Sequence, residues 1–168
     1  GERGCGLAIA IFVSRRLSKS FAVDLLLASG HELGFRGGYH LAENYETEPS
    51  CVLHLGSCIA NFDAKMSCIC SADSMTVGQI ASVFKRLDIK PVIPSDPANA
   101  ENWVGESMCW ASNNWPILSI AGLAPHFHVR SDLPEVVTSP GLLATTIDVI
   151  GDAALALANH GIGRAFSI

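Results

Sequence analysis

Charge is what this sequence has least of. Asp, Glu, Lys and Arg make up 16% of it, against about a quarter in an ordinary soluble domain. Basic clusters are missing beyond Arg15-Arg16, and the formal net charge is −5. That excludes the cationic footprint of a nucleic-acid binder. Aromatic residues are only 7%, too few for platforms that stack single-stranded bases. Long apolar runs are missing as well. The longest, Leu7 to Val13, ends at Ser14-Arg15-Arg16, short of the roughly 18 residues that a membrane span requires. Neither nucleic acid nor membrane is therefore expected as a partner. No CxxC pair occurs among the six cysteines. They read as small buried hydrophobes, with one incidental bridge allowed. No signal-peptide pattern stands at the front, which begins with Gly1, so a processed product or a fragment is expected and the compartment is left open.

What is there is apolar. Hydrophobic residues make up 49%, and the mean hydropathy is +0.32. Disordered chains have the opposite composition. A length of 168 residues suits one domain, residues 1–168, with a core of its own.

Gly6 to Leu17 reads as a helix apolar nearly all round, hence buried on several sides. Phe21 to Ala28 (FAVDLLLA) reads as a strand covered on both faces. Gly34 to Glu43 reads as a helix whose start is weakened by Gly37-Gly38. Cys51 to Leu55, Met66 to Cys70, Lys90 to Ile93 and Trp115 to Ala121 read as further strands. Val77, Ile80, Ala81 and Phe84 share one helical face, with Ser74 or Thr76 as the cap. Asn99 to Ser112 is expected to be helical. Ser139-Pro140 opens a last helix, which Gly161 is expected to stop. Strands alternating with helices predict an α/β fold with a largely parallel sheet.

Two stretches carry candidate chemistry. Ser29-Gly30-His31-Glu32-Leu33-Gly34-Phe35-Arg36-Gly37 places ionisable groups directly after an expected strand, where open α/β sheets bind ligands. His31-Glu32 begins like the zinc motif HExxH, but Phe35 stands where the second histidine belongs. The plain alternative for Glu32 is a surface carboxylate. Pro125-His126-Phe127-His128 with Asp132 suits metal coordination, a carboxylate orienting an imidazole from behind. The plain alternative is a polar loop with a capping histidine.

Taken in order, these stretches resemble the M28 family of zinc aminopeptidases and carboxypeptidases over nearly the whole chain. Glu2-Arg3-Gly4-Cys5-Gly6-Leu7-Ala8 stands where the family has D-N-x-S-G-x-A. Gly30-His31-Glu32-Leu33-Gly34-Phe35-Arg36-Gly37 stands where it has G-E-E-x-G-x-x-G. His54-Leu55-Gly56-Ser57 matches N-L-D-M, and Asn114-Trp115-Pro116 matches G-I-P. His128 to Glu135 matches H-T-x-x-D-T-x-E. The resemblance implies a three-layer α/β sandwich with a largely parallel mixed sheet, of which this chain is the C-terminal portion, lacking the N-terminal strands.

The resemblance also implies a site. Glu2, Glu32 and His128 would bind zinc, with His54 substituting for the aspartate that Gly56 has lost. His31 replaces the family's general base and would take its role. Asp132 and Glu106 would orient the ligands from behind. One zinc ion is expected, two being the family's number. The implied activity is metal-dependent hydrolysis of a peptide or small amide bond by zinc-activated water. The centre would be completed by an N-terminal portion or a second chain. The alternative is a non-catalytic binding or interaction domain that has lost its metal ligands. A third reading pairs His31 or His128 with Ser57 or Cys58 as nucleophile, without metal.

Overall fold

The structure, a computed structural model, describes residues 3–111 and 113–165. It is a mixed α/β fold built on one open four-stranded sheet of order β1-β4-β2-β3. The strands are β1 (Val52–Leu55), β2 (Lys65–Ser71), β3 (Pro91–Val92) and β4 (Ile117–Leu123). Strand β1 runs parallel to β4, and β2 parallel to β3, while β2 and β4 are antiparallel. Two of the three pairings are thus parallel, in line with the largely parallel sheet expected. The helices are α1 (Gly4–Leu17), α2 (Arg36–Glu43), α3 (Ser74–Phe84), α4 (Met108–Ala111), α5 (Pro134–Val137) and α6 (Pro140–Ala165).

Alternate residues of a strand face opposite sides of its sheet, and here the two sides feed two cores. Leu118 and Ile120 of β4, with Cys68 and Cys70 of β2, pack against Ile9 and Val13 of α1. Ile80 and Phe84 of α3 and Val149, Ile150, Ala153 and Leu157 of α6 complete that core. Ile117, Val52 and Ile69 join the other cluster, with Leu41 and Ala42 of α2 and Cys109 and Trp110 of α4. Helices therefore cover both faces of the sheet.

Residues Pro140–Ile162 are long and apolar enough by length and composition to cross a membrane. Here α6 is a core helix: Val149, Ala153 and Leu157 are wholly buried against α1 and α3. Asp152 of α6 also pairs with Arg16 of α1 at 2.5 Å and with Arg86 at 2.9 Å. The six cysteines are thiols without a disulfide bond, and five of them are buried. Burial pushes Cys51 up to about 11 and Cys70 to about 12, so both are inert apolar filling.

Four expectations need correction. Phe21–Ala28 is not a strand. Residues 22–30 run on without turn or bend, and residues 22–28 enter no backbone–backbone hydrogen bond among the described residues. Strand propensity makes no ladder without a neighbour to pair with, and Leu25, Leu26 and Leu27 are 44%, 41% and 68% exposed. Second, α3 is capped by Asp73, whose Oδ1 accepts from the Thr76 amide at 2.7 Å; Ser74 and Thr76 lie inside the helix. Third, the segment Asn99–Ser112 is two short 3-10 turns, Ala100–Asn102 and Gly105–Ser107, followed by α4. Ser112 itself lies outside the described residues.

The fourth correction concerns Gly161, which does not end α6. A Cβ at Gly161 would lie 2.1 Å from the Ser50 carbonyl oxygen. This glycine serves close approach, letting the helix pass the chain that enters β1. Ser139 does cap the helix as expected, its Oγ accepting from the Leu142 amide at 3.2 Å.

Two glycine substitutions separate helix propensity from packing. Gly78, exposed in mid-α3, has nothing within 4 Å of a built Cβ. Gly78→Ala is expected to stabilise the fold by about 0.5–1 kcal/mol. Gly161→Ala should destabilise it by about 1–3 kcal/mol despite the same propensity gain. Urea unfolding midpoints of the two variants check both signs.

Candidate functional site

The segment His31–Leu33 forms a single 3-10 turn between Gly30 and Gly34, with φ of 73° and 72°. Both angles lie in the left-handed region that favours glycine. The turn is tied down where the Gly37 amide donates to the Ser29 carbonyl at 3.0 Å. A Cβ on Gly37 would sit 2.3 Å from that oxygen. One residue on, a Cβ at Gly38 would lie 3.2 Å from Glu106 Cγ. The paired glycines that weaken the start of α2 therefore let two other segments close on it, one bearing His31 and the other Glu106.

Opposite them stands His54 near the end of β1. It is the register partner of Ser119 on β4, and His54 Nδ1 lies 2.9 Å from Ser119 Oγ. Ser119 is fully buried, a lone hydroxyl in an otherwise apolar stretch of strand. Glu106 bridges the two histidines. His31 Nδ1 donates to Glu106 Oε1 at 2.9 Å, while His54 Nε2 lies 3.6 Å from Glu106 Oε2. The second distance is an ion-pair contact rather than a hydrogen bond.

The electrostatics follow from this geometry. The His54 imidazole and then the His31 hydrogen bond hold the Glu106 carboxyl well down, to about 2, against the opposing cost of its burial. A carboxylate that stays charged over this range fixes the ring beside it. With Nδ1 carrying the proton shared with Glu106, His31 Nε2 is the nitrogen left to accept one. That nitrogen lies on the exposed side, 4.0 Å from Glu32 Oε1. The cluster sits near the carboxyl end of β1, beside the interior of β4 at Ser119.

Of the residues named from the sequence, His31, His54 and Glu106 are brought together. Glu32 stands at their rim, its side chain 82% exposed. His128 lies exposed in the loop after β4, its ring stacked on Phe127 at 4.0 Å. Asp132 lies half-buried in the same loop, and Glu2 falls outside the described residues. Gly56, where the resemblance expects an aspartate, has no room for one: a Cβ there would lie 2.8 Å from Ala121 Cβ.

Catalytic zinc needs three protein ligands converging on one point. Among the described residues no three His, Cys, Asp or Glu side chains do so. Glu106 faces the two histidines directly, so these donors meet one another rather than an ion. The described residues therefore do not by themselves fit zinc. The nucleophile readings fare no better. Ser57 Oγ donates to the Gly122 carbonyl at 3.1 Å, and Cys58 is fully buried.

Ser119 was missed in the sequence, although a single serine in Ile117-Leu118-Ser119-Ile120 was a visible signal. Glu106 was assigned a supporting role around a metal, and it is instead the centre of the cluster.

The depressed Glu106 carboxyl predicts an acid-labile contribution to stability. Because its folded value lies below the ordinary 4.5, the stabilisation is complete above that pH and is lost as pH falls toward about 2. Glu106→Gln should remove that dependence, on the order of 2 kcal/mol. Urea titrations of both proteins at about pH 6 and about pH 3 measure it. Comparison of the chain with protein-family models, with curated proteins and with solved structures gave no match, so the chemistry assigned to the cluster rests on its own geometry.

Proposed function

We propose that this chain hydrolyses a peptide or small amide bond, as a divergent relative of the zinc exopeptidases it resembles. The observation that carries the reading is the hydrogen bond from His31 Nδ1 to Glu106 at 2.9 Å. It leaves Nε2 on the exposed side of a carboxylate-anchored imidazole. Such a ring takes a proton from an attacking water and returns it to the leaving amine. Glu106 holds the ring in one tautomer and stabilises the imidazolium once it forms. A charged carboxylate that is 16% exposed is a costly structural element, and such groups gather where chemistry is done.

The zinc of the resemblance would require ligands beyond the three clustered residues. Glu2 and Glu32 are the first candidates, with groups from a further polypeptide portion. The runner-up reading is a non-catalytic interaction domain. It is favoured by the segment Phe21–Ala28, whose leucines are exposed and whose backbone has no sheet partner among the described residues. An N-terminal portion or a second chain that added a strand there would cover it.

The test is hydrolysis of aminoacyl anilides by the purified chain, with and without added zinc. His31→Ala and Glu106→Gln are expected to lower the rate by about 10²–10⁴-fold, with the fold intact by circular dichroism. Glu32→Ala abolishes only a zinc-stimulated component. No hydrolysis in either condition overturns the enzyme reading and leaves the interaction domain.

A further inference from the structure

A groove of about 380 Å³ opens beside the aromatic residues of the second core, lined by Ala42, Tyr45, Thr47, Glu48, Asn113 and Trp115. Two aromatic rings and a carboxylate meet in it, and no Lys or Arg is among those lining residues. Both rings are held from behind. Trp110, 7% exposed, packs edge-on against Tyr45 at 5.5 Å and tilted against Trp115 at 5.7 Å. The Tyr45 hydroxyl is engaged by Asp24, and Tyr45 is half-buried where it lines the groove. Trp115 Nε1 donates to Glu48 Oε1 at 3.3 Å, so the carboxylate is fixed at the groove while its other oxygen remains available.

We propose that this groove is a binding site for an organic cation bearing N–H donors, an ammonium or guanidinium group such as a lysine or arginine side chain presents. Aromatic rings attract a cation through their quadrupole. A carboxylate adds a charge-assisted hydrogen bond to any N–H that the cation carries. The flanking chain strengthens the field: Glu43, Glu46 and Glu48 fall within six positions, and Asp24 stands behind Tyr45. The site uses none of the three clustered residues His31, His54 and Glu106, and it stands whether or not the chain hydrolyses anything.

Titration of the chain with Nα-acetylarginine amide, followed by tryptophan fluorescence and by calorimetry, tests it. Saturable binding is expected, weakened about fivefold or more by Glu48→Gln and again by Trp115→Leu. Nα-acetylcitrulline amide, the neutral isostere, should bind at least tenfold more weakly. Tetramethylammonium, which has no N–H, should retain the ring contribution and the charge attraction, and lose less on Glu48→Gln than the arginine compound does. Equal binding of the Nα-acetylated arginine and citrulline amides, or no saturable binding of the arginine compound, overturns the proposal. Glu48 is exposed, so its substitution leaves the fold intact and the comparison valid.

Discussion

Everything in this fold depends on the burial of strand β4. It lies between β1 and β2, parallel to one and antiparallel to the other. Ile117, Leu118, Ser119 and Ile120 are at most 1% exposed. Because successive side chains face opposite ways, this one strand supplies both helical layers. Leu118 and Ile120 anchor the layer of α1, α3 and α6, and Ile117 anchors the layer of α2 and α4. Ser119 is the exception in the pattern. A buried hydroxyl has to find a partner, and the partner it finds is His54. The polar cluster thus begins inside the sheet, as a defect in an otherwise apolar strand.

From that point the cluster is assembled by close approach. Gly38 gives Glu106 room beside α2, and Gly37 lets the segment carrying His31 fold back onto Ser29. The result is a carboxylate held between two imidazoles in a protein with few charges to spare. In so apolar a chain a charge withdrawn from water is conspicuous, because little else nearby screens or competes with it.

Much of the fold was legible in the sequence. The apolar spacing of α1, α3 and α6 and the apolar runs of β1, β2 and β4 are periodic signals, and those elements form within a few residues of expectation. What failed was whatever depends on a distant partner. Phe21–Ala28 has the composition of a strand but no strand to pair with among the described residues. Gly161 has the composition of a stop signal but meets Ser50 across the fold. The site was legible in the same partial way. His31, His54 and Glu106 were all singled out, yet their roles came from where a resemblance placed them. That Glu106 would lie between the two rings is a tertiary fact carried by Gly38 and by the turn at Gly105–Ser107. Glu32 and His128 were named from local spacing and from the resemblance, and neither reports exposure.

The contacts of α6 have a consequence for how the chain comes to be folded. Asp152 pairs with Arg16, 136 positions away, and Gly161 touches Ser50. During synthesis the first helix therefore emerges long before the helix that covers it. Ile9 and Val13 stay without their packing partners on α6 until that helix has been made. Folds dominated by such distant pairings form slowly, because loop closure precedes its reward. The apolar first half of this chain would be exposed throughout that interval, when a chaperone matters most to its fate.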